Sequence, residues 1–455
     1  MLAASHTRKR TDKGVKVDPA RQTAYGVLTA AHRGGRINDL LHSALAASAL
    51  SERERRFTTE LVLGATRMQA RLDADLSGCY HGRFHHLEPQ IRRLLRLGAY
   101  QLRYMDSVPA RAALDTTVDL ARANSLSRAA GLVNGVLREL SRREPDTPPA
   151  DLATPEELAT AYSHPQWLVE KWLSQWGRER TVALMEWNNR SPVVWFRRRV
   201  GEKMRQKLAA SAADKGLLLH PHPLLPDYLS AERSPAPLLS AEMLAGGSFI
   251  VQDPSAGAVV AAVDPQPGET IIDFCAGPGG KTAALADQVG STGRVAACEI
   301  DSGRVELIRD TVTRLGLLNV DLYPGDVLKT ALPPADKILV DAPCTGTGVV
   351  ARRADLRWRR QPEHLPQMVA LQTALLERAA QLLPTGGLLV YATCSLEPEE
   401  NWELVTAFQR KHQQYHIDSM PPGVPADWID DQGALATFPA QHQVDGVFAV
   451  RLRKR

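Results

Sequence analysis

Two cysteines and an aspartate stand where a thiol could do covalent chemistry. Cys344 lies in the run Asp341-Ala342-Pro343-Cys344-Thr345-Gly346-Thr347-Gly348, and Cys394 lies in Thr393-Cys394-Ser395; each run follows a short apolar stretch. A buried cysteine is usually a small hydrophobe, and that reading suits Cys79 and Cys298. It suits Cys344 and Cys394 poorly, because both leave an apolar stretch for a loop bearing Pro or Ser. A thiolate is a strong nucleophile, and a carboxyl group a few residues away can hold or give a proton. The chemistry on offer is addition of sulfur to an electrophilic carbon with acid–base assistance.

A second set of residues could hold a ligand beside those thiols. Asp273-Phe274-Cys275-Ala276-Gly277-Pro278-Gly279-Gly280-Lys281-Thr282 joins an apolar stretch to a helical pattern. Glycine lets the backbone turn tightly and lets a ligand approach. A helix N-terminus offers free N–H groups to a carboxylate or phosphate. Gly280-Lys281-Thr282 matches the end of a Walker loop, but Cys275 occupies the place of its opening glycine, so that pattern fails, as does G-x-G-x-x-G. Cys275 itself reads as structural. Glu299 ends the next apolar stretch, where an acid can accept from ribose hydroxyls; Asp301 fits a helix N-terminal acid instead. Gly325-Asp326 follows the third stretch and alone reads as a turn.

The elements that carry these residues alternate. Strands are expected at 270–273, 294–298, 320–323, 337–340, 388–392 and 447–452, with helices at 281–288, 302–315, 368–383 and 398–411. Such alternation predicts an α/β fold with a doubly wound, mostly parallel sheet, Rossmann-like, whose strand C-termini share one ligand-binding edge. This domain is expected over 246–455. Residues 18–145 are rich in Ala, Leu and Arg and lack proline between Pro19 and Pro89, which predicts an all-α bundle of five to seven helices. Asp18 and Ser51 read as N-caps. A Pro-rich linker follows, and residues 150–245 read as a small α/β subdomain with a strand over 193–200 and a helix over 202–215. Residues 1–17 read as a disordered basic arm.

Composition narrows the class. The chain has 455 residues, 44% of them hydrophobic, enough for several buried cores, and a formal charge of +4. Five widely spaced cysteines without a C-x-x-C motif argue against a disulfide framework and against a zinc site. Reducing cytosol is the expected compartment. No apolar run approaches the ~20 residues of a membrane span. No metal is expected, His85-His86 reads as surface, and a monomer is expected.

The combination DFCAGPGGKT, EID, GD, DAPCTGTGV, ADLRWRR and YATCSLEPEEN resembles the RNA cytosine-C5 methyltransferase family. Together with the helical N-terminus it is similar to the family's bacterial 16S rRNA branch, whose N-terminal domain is NusB-like. Gly131-Leu132-Val133-Asn134-Gly135-Val136-Leu137 is the best local match for that domain, and Asp445-Gly446-Val447-Phe448 resembles the start of the family's last strand. Gly277, where the family more often has Ala, and Thr345, where it usually has Ser, are small departures.

The resemblance implies roles for particular residues. S-adenosylmethionine would be the cofactor and RNA, here 16S rRNA, the partner. Cys275, Ala276, Gly277, Pro278, Gly279, Gly280 and Lys281 would wrap the cofactor's methionine end, Glu299 its ribose and Asp326 its adenine side. Asp341 would contact the cofactor edge and the target base. Cys394 would be the nucleophile and Cys344 would assist product release. Carbon 5 of cytosine is a weak nucleophile until sulfur adds at carbon 6, which makes an enamine. Charge then builds toward N3, where a carboxyl group or proton donor lowers the barrier.

Arg352, Arg353, Arg357, Trp358, Arg359 and Arg360 crowd the segment after Cys344 and are expected to contact RNA, arginine pairing with phosphate and the indole stacking on a base. Arg197-Arg198-Arg199 is a second basic patch; it is as open to RNA contact as to one or more of the three facing inward and pairing, since it lies in a strand-like run. A methyltransferase for tRNA or another rRNA position, and a non-catalytic NusB-like RNA-binding factor, are the competing readings; intact Cys394, Cys344 and Asp341 disfavour the second.

Overall fold

Asp18 starts the first helix by accepting the Arg21 N–H at 2.9 Å, and Ser51 forms a reciprocal capping box with Glu54 at the start of the third. The computed structural model describes residues 17–144, 154–199, 202–232, 236–239, 243 and 246–455. The arm expected before residue 17 and most of the Pro-rich linker lie outside them. The chain forms two units. One runs to Asn189 and also takes in Arg353–Trp358; the other holds Arg190–Arg352 and Arg359–Arg455.

The first unit is helical among its described residues. Seven helices, Pro19–His32, Ile37–Ala46, Glu52–Arg67, Gln69–Cys79, Pro89–Tyr104, Ala110–Ala123 and Ala130–Arg142, make the NusB-like bundle. Leu94, Leu95, Leu97 and Ala99 of one helix and Val133 and Leu137 of another enter a common core that also buries Cys79. Residues at spacings of three and four share a helix face, which is why the run 94–104 can be read from its apolar positions. Helices Pro155–Ala161 and Gln166–Asn189 belong to this unit. Ser163 between them accepts from Ala70 N at 3.0 Å and donates to Arg67 O at 2.8 Å, fastening them to the bundle.

The second unit has two sheets. A four-stranded antiparallel sheet has the order β2-β3-β1-β4, with β1 Trp195–Arg198, β2 Leu219–Pro221, β3 Tyr228–Ala231 and β4 Phe249–Val251. Arg197 and Arg199 do not face solvent: both pair with Asp287, at 3.4 and 2.6 Å, and Arg198 pairs with Asp227 at 2.9 Å. The large sheet has β5 Thr270–Phe274, β6 Arg294–Glu299, β7 Val320–Pro324, β8 Lys337–Asp341, β9 Leu388–Thr393, β10 Tyr415–Ile417 and β12 Phe448–Lys454 in the order β10-β12-β9-β8-β5-β6-β7, with β11 Leu435–Ala436 on β12. Strands β9-β8-β5-β6-β7 are parallel and β12 is antiparallel to β9.

Alternation along each strand divides the core into two faces. Ile271, Leu339 and Val390 pack with helix Gly280–Val289 on one face, and Ile272, Ile338 and Leu389 with helix His364–Leu382 on the other. The fold is Rossmann-like. The strand order reverses between β5 and β8, where ligands of doubly wound sheets bind. No helix among the described residues is long and apolar enough to cross a membrane.

Candidate active site

The loops leaving β5 and β8 meet at that reversal. Lys281, in the first turn of helix Gly280–Val289, reaches Asp341 at the end of β8 with Nζ 2.8 Å from Oδ2. Burial would strip Lys281 of its proton, but Asp341 more than offsets this and its pKa stands above the ordinary value. Lys281 therefore stays charged. Asp341 lies opposite Ala392 of β9 in the parallel register, which puts Cys394, two residues further on, at the same sheet edge.

Cys344 and Cys394 come together there, their sulfurs 3.2 Å apart and both reduced. They are not equivalent. Cys394 is half-buried, whereas Cys344 is only 6% exposed. The hydrogen bond with Cys394, with burial second, drives the Cys344 thiol well above its ordinary pKa. Cys344 thus keeps its proton near neutral pH, and Cys394 is the more exposed of the two.

The glycine loop turns sharply after β5. Cys275 has φ of +60° and Gly279 of +100°, a conformation that disfavours a side chain. Glu299 at the end of β6 holds the loop from beside it, accepting from Gly277 N and Asp301 N at 3.0 Å each. Its oxygens keep further lone pairs. Asp326 accepts from Leu328 N at 3.0 Å, and Gly325 N donates to Glu299 O at 2.8 Å, so the ends of β6 and β7 are tied. Burial, then the carboxylates of Asp341, Glu299 and Asp273, push the Cys275 thiol far up, which makes it a poor nucleophile. Asp273, fully buried under the loop, accepts from Thr282 Oγ1 at 2.6 Å, while its Oδ1 has no protein partner. Burial raises its carboxyl to about 7.

The chain is similar to known proteins. The 16S rRNA methyltransferase RsmB/F family matches residues 260–453, the NusB family residues 18–142, and the ferredoxin-like domain of RsmF/B-like methyltransferases residues 164–235. The probable ribosomal RNA small subunit methyltransferase B of Synechocystis sp. is 35% identical over 448 residues, 96% of this chain and 99% of that protein. The chain belongs to the RsmB/F family of 16S rRNA methyltransferases. Its counterpart in Bacillus subtilis is 31% identical over 92% of this chain and 94% of its own. A methyltransferase homolog from Pyrococcus horikoshii superposes with a TM-score of 0.55 at 27% identity, covering 66% of this chain and 98% of that one.

In this RsmB/F chain the arginine-rich segment after Cys344 is largely spent on the protein itself. Arg357 is 1% exposed and donates to Ser163 O, Asn188 O and Asn189 Oδ1 within its own unit, so it is not available to RNA as the sequence suggested. Trp358 Nε1 donates to Thr66 O at 2.7 Å. Arg352 is paired with Asp253 and Asp445. Arg360 donates to Cys344 O and Thr345 O, both at 2.8 Å, and so braces the cysteine loop. Arg353 and Arg359 are exposed. A run of like charge next to a site reads as a surface, but guanidinium groups also bond loop carbonyls, and the one-dimensional pattern does not separate the two uses.

Residues not singled out from sequence hold the two thiols in place. Glu400 is fully buried and accepts from Thr345 N at 2.9 Å, from the Thr345 hydroxyl, and from Gln372 Nε2 at 2.8 Å. Ser395 Oγ lies 3.0 Å from Thr345 Oγ1, and Asn401 Nδ2 donates to Ser395 O at 2.9 Å. The Glu-Pro-Glu-Glu-Asn end of the Cys394 motif was the available signal: a cluster of acids at a helix start, a few residues after the thiol.

Proposed function

We propose that this chain methylates carbon 5 of a cytosine in 16S rRNA, with Cys394 adding to carbon 6 of the base. The observation that carries the reading is the pairing of half-buried Cys394 with buried Cys344, sulfur to sulfur at 3.2 Å, on the sheet edge that also bears the Lys281–Asp341 pair. S-adenosylmethionine would lie against the loop Cys275 to Lys281, and when bound it supplies the methyl group as an electrophile. The residues fit such a group: Asp273 carries a buried oxygen without a protein partner, and Glu299 and Asp326 present carboxylates at the ends of successive strands.

The protein's own groups divide the work. Lys281 lies within electrostatic reach of Cys394 and favours its thiolate. Addition of that thiolate to carbon 6 moves electron density to carbon 5 and negative charge toward N3, where the Lys281 ammonium that Asp341 holds in place can donate a hydrogen bond. After carbon 5 is alkylated, loss of its proton to a base lets the C6–S bond break, and the electron pair returns to Cys394. Cys344, one hydrogen bond from the leaving sulfur, donates to it and so favours departure. A base inside a helix hides carbon 6, so the cytosine must be unpaired or turned out.

Incubating the enzyme with 16S rRNA and S-adenosylmethionine tests this. Cys344→Ala should accumulate a covalent protein–RNA species on denaturing gels, and Cys394→Ala should form neither adduct nor 5-methylcytosine by bisulfite sequencing. Methylation by Cys394→Ala overturns the assignment.

A further inference from the structure

Asp445 and Gly446 precede the last strand, and the proposed reaction leaves them unused. Arg352 Nε donates to Asp445 Oδ2 at 2.7 Å, a terminal nitrogen pairs with Asp253, and the other terminal nitrogen meets Val193 O at 2.8 Å. The Asp445 N–H donates to Asp253 Oδ1 at 3.2 Å. One guanidinium therefore serves two buried carboxylates, and the cluster carries an excess negative charge when both are ionised.

This cluster is joined to Cys394 through the backbone. Gly446 N donates to Gly348 O at 2.8 Å, and Gly348 N donates to Cys394 O at 3.0 Å. The approach requires that neither position carry a side chain: a Cβ on Gly348 would stand 2.2 Å from Gly446 O. Burial and then Asp253 raise the Asp445 carboxyl to about 7 against the pull of Arg352, and Cys394 adds to the rise, so the two groups feel each other's charge. Cys344 from the β8 loop and Lys281, itself held by Asp341, from helix Gly280–Val289 also act on this sulfur; Glu400 acts on Cys344.

We propose that Asp445, clamped by Arg352, is a positioning residue that fixes the Cys394 loop and through its charge restrains ionisation of the Cys394 thiol. In catalysis this opposes Lys281, so the thiol is reactive without being permanently ionised, a consequence that rests on Cys394 being the nucleophile. The charge signs make the idea testable. Removing Asp445's charge should ease ionisation; removing Arg352's leaves two acids uncompensated and should hinder it.

The experiment is alkylation of the full chain by iodoacetamide across pH 6–10, read on the Cys394 peptide by mass spectrometry. Relative to the parent, Asp445→Asn should move the midpoint down and Arg352→Gln should move it up, each by roughly half a pH unit or more. Arg352→Lys, which restores the charge, should return it toward the parent. A merely structural role would loosen the loop in both variants and move both midpoints the same way, which overturns the proposal, as does a shift below about 0.2 units in Asp445→Asn. Should Arg352→Gln not fold, Asp445→Asn and Arg352→Lys decide alone. The readout needs no RNA, so it is separate from adduct trapping, which judges the nucleophile itself.

Discussion

Replacing Arg357 by Met asks where that guanidinium acts. In the folded protein it donates to Ser163 O at 2.9 Å, Asn189 Oδ1 at 2.8 Å, Asn188 O at 2.8 Å and Arg67 O at 3.3 Å, all acceptors of the helical unit, and no carboxylate is among these partners. Burial, with Arg67 second, pulls its pKa well below the arginine value, so the charge is held at a cost that these acceptors offset. Met fills much of the same volume but takes the donor from Ser163 O, Asn188 O and Asn189 Oδ1, whereas Arg67 O keeps the Ser163 hydroxyl. Each buried acceptor so stranded costs about 1–3 kcal/mol, and removing a buried, unpaired charge returns several kcal/mol, which leaves a net loss of roughly 3–5 kcal/mol.

A unit of this size loses about 2–4 °C of melting temperature per kcal/mol, so the helical unit's transition should fall by about 10 °C in differential scanning calorimetry. The affinity for a 16S rRNA fragment should keep its salt dependence. A lost phosphate contact would flatten the plot of log K against log salt by about 0.7–0.9. An unchanged melting temperature with a flattened slope refutes the reasoning and returns Arg357 to the RNA surface.

Two further outcomes follow from buried carboxyl groups. Asp273 sits at about 7 when folded, above the unfolded value, so its contribution to stability is complete below pH ~4 and is lost as pH rises through 7. Asp273→Asn should flatten that decline by about 2–4 kcal/mol, read as urea midpoints at pH 4.5 and 8; a decline equal to the parent's counts against it. Glu400→Gln places an amide donor where Thr345 and Gln372 already donate. It should cost about 2–3 kcal/mol in urea unfolding and lower single-turnover methylation while leaving RNA affinity unchanged; lost affinity with full turnover would contradict its bracing role.

The parts of this molecule that sequence makes legible are those set by local rules. Asp18 and Ser51 announce helix starts because capping needs a short acceptor at one position. Strands β5, β6, β8 and β9 stand out because they are buried on both faces and read as largely apolar runs. Cys344 and Cys394 were recognisable as a pair because each leaves such a strand at its C-terminal end, and a doubly wound sheet gathers those ends. β10 and β11, at three and two residues, carry too few positions to show alternation.

What stays hidden is the use of a polar side chain once the fold has formed. Arg197, Arg199 and Arg357 look alike in sequence to any exposed arginine, yet two find Asp287 and the third a set of carbonyls up to 290 residues away. A guanidinium has five donors and no conformational tie to its neighbours in sequence, so only the distant acceptors decide whether it faces RNA or the interior. The same holds for Asp445. Its chain neighbours mark only the start of a strand, and its significance comes from Arg352 and from a glycine contact that brings it against the Cys394 loop. Local pattern thus finds the two thiols and the carboxyl group at one sheet edge, whereas the charges that surround them are assembled from distant stretches of chain and become visible only in three dimensions.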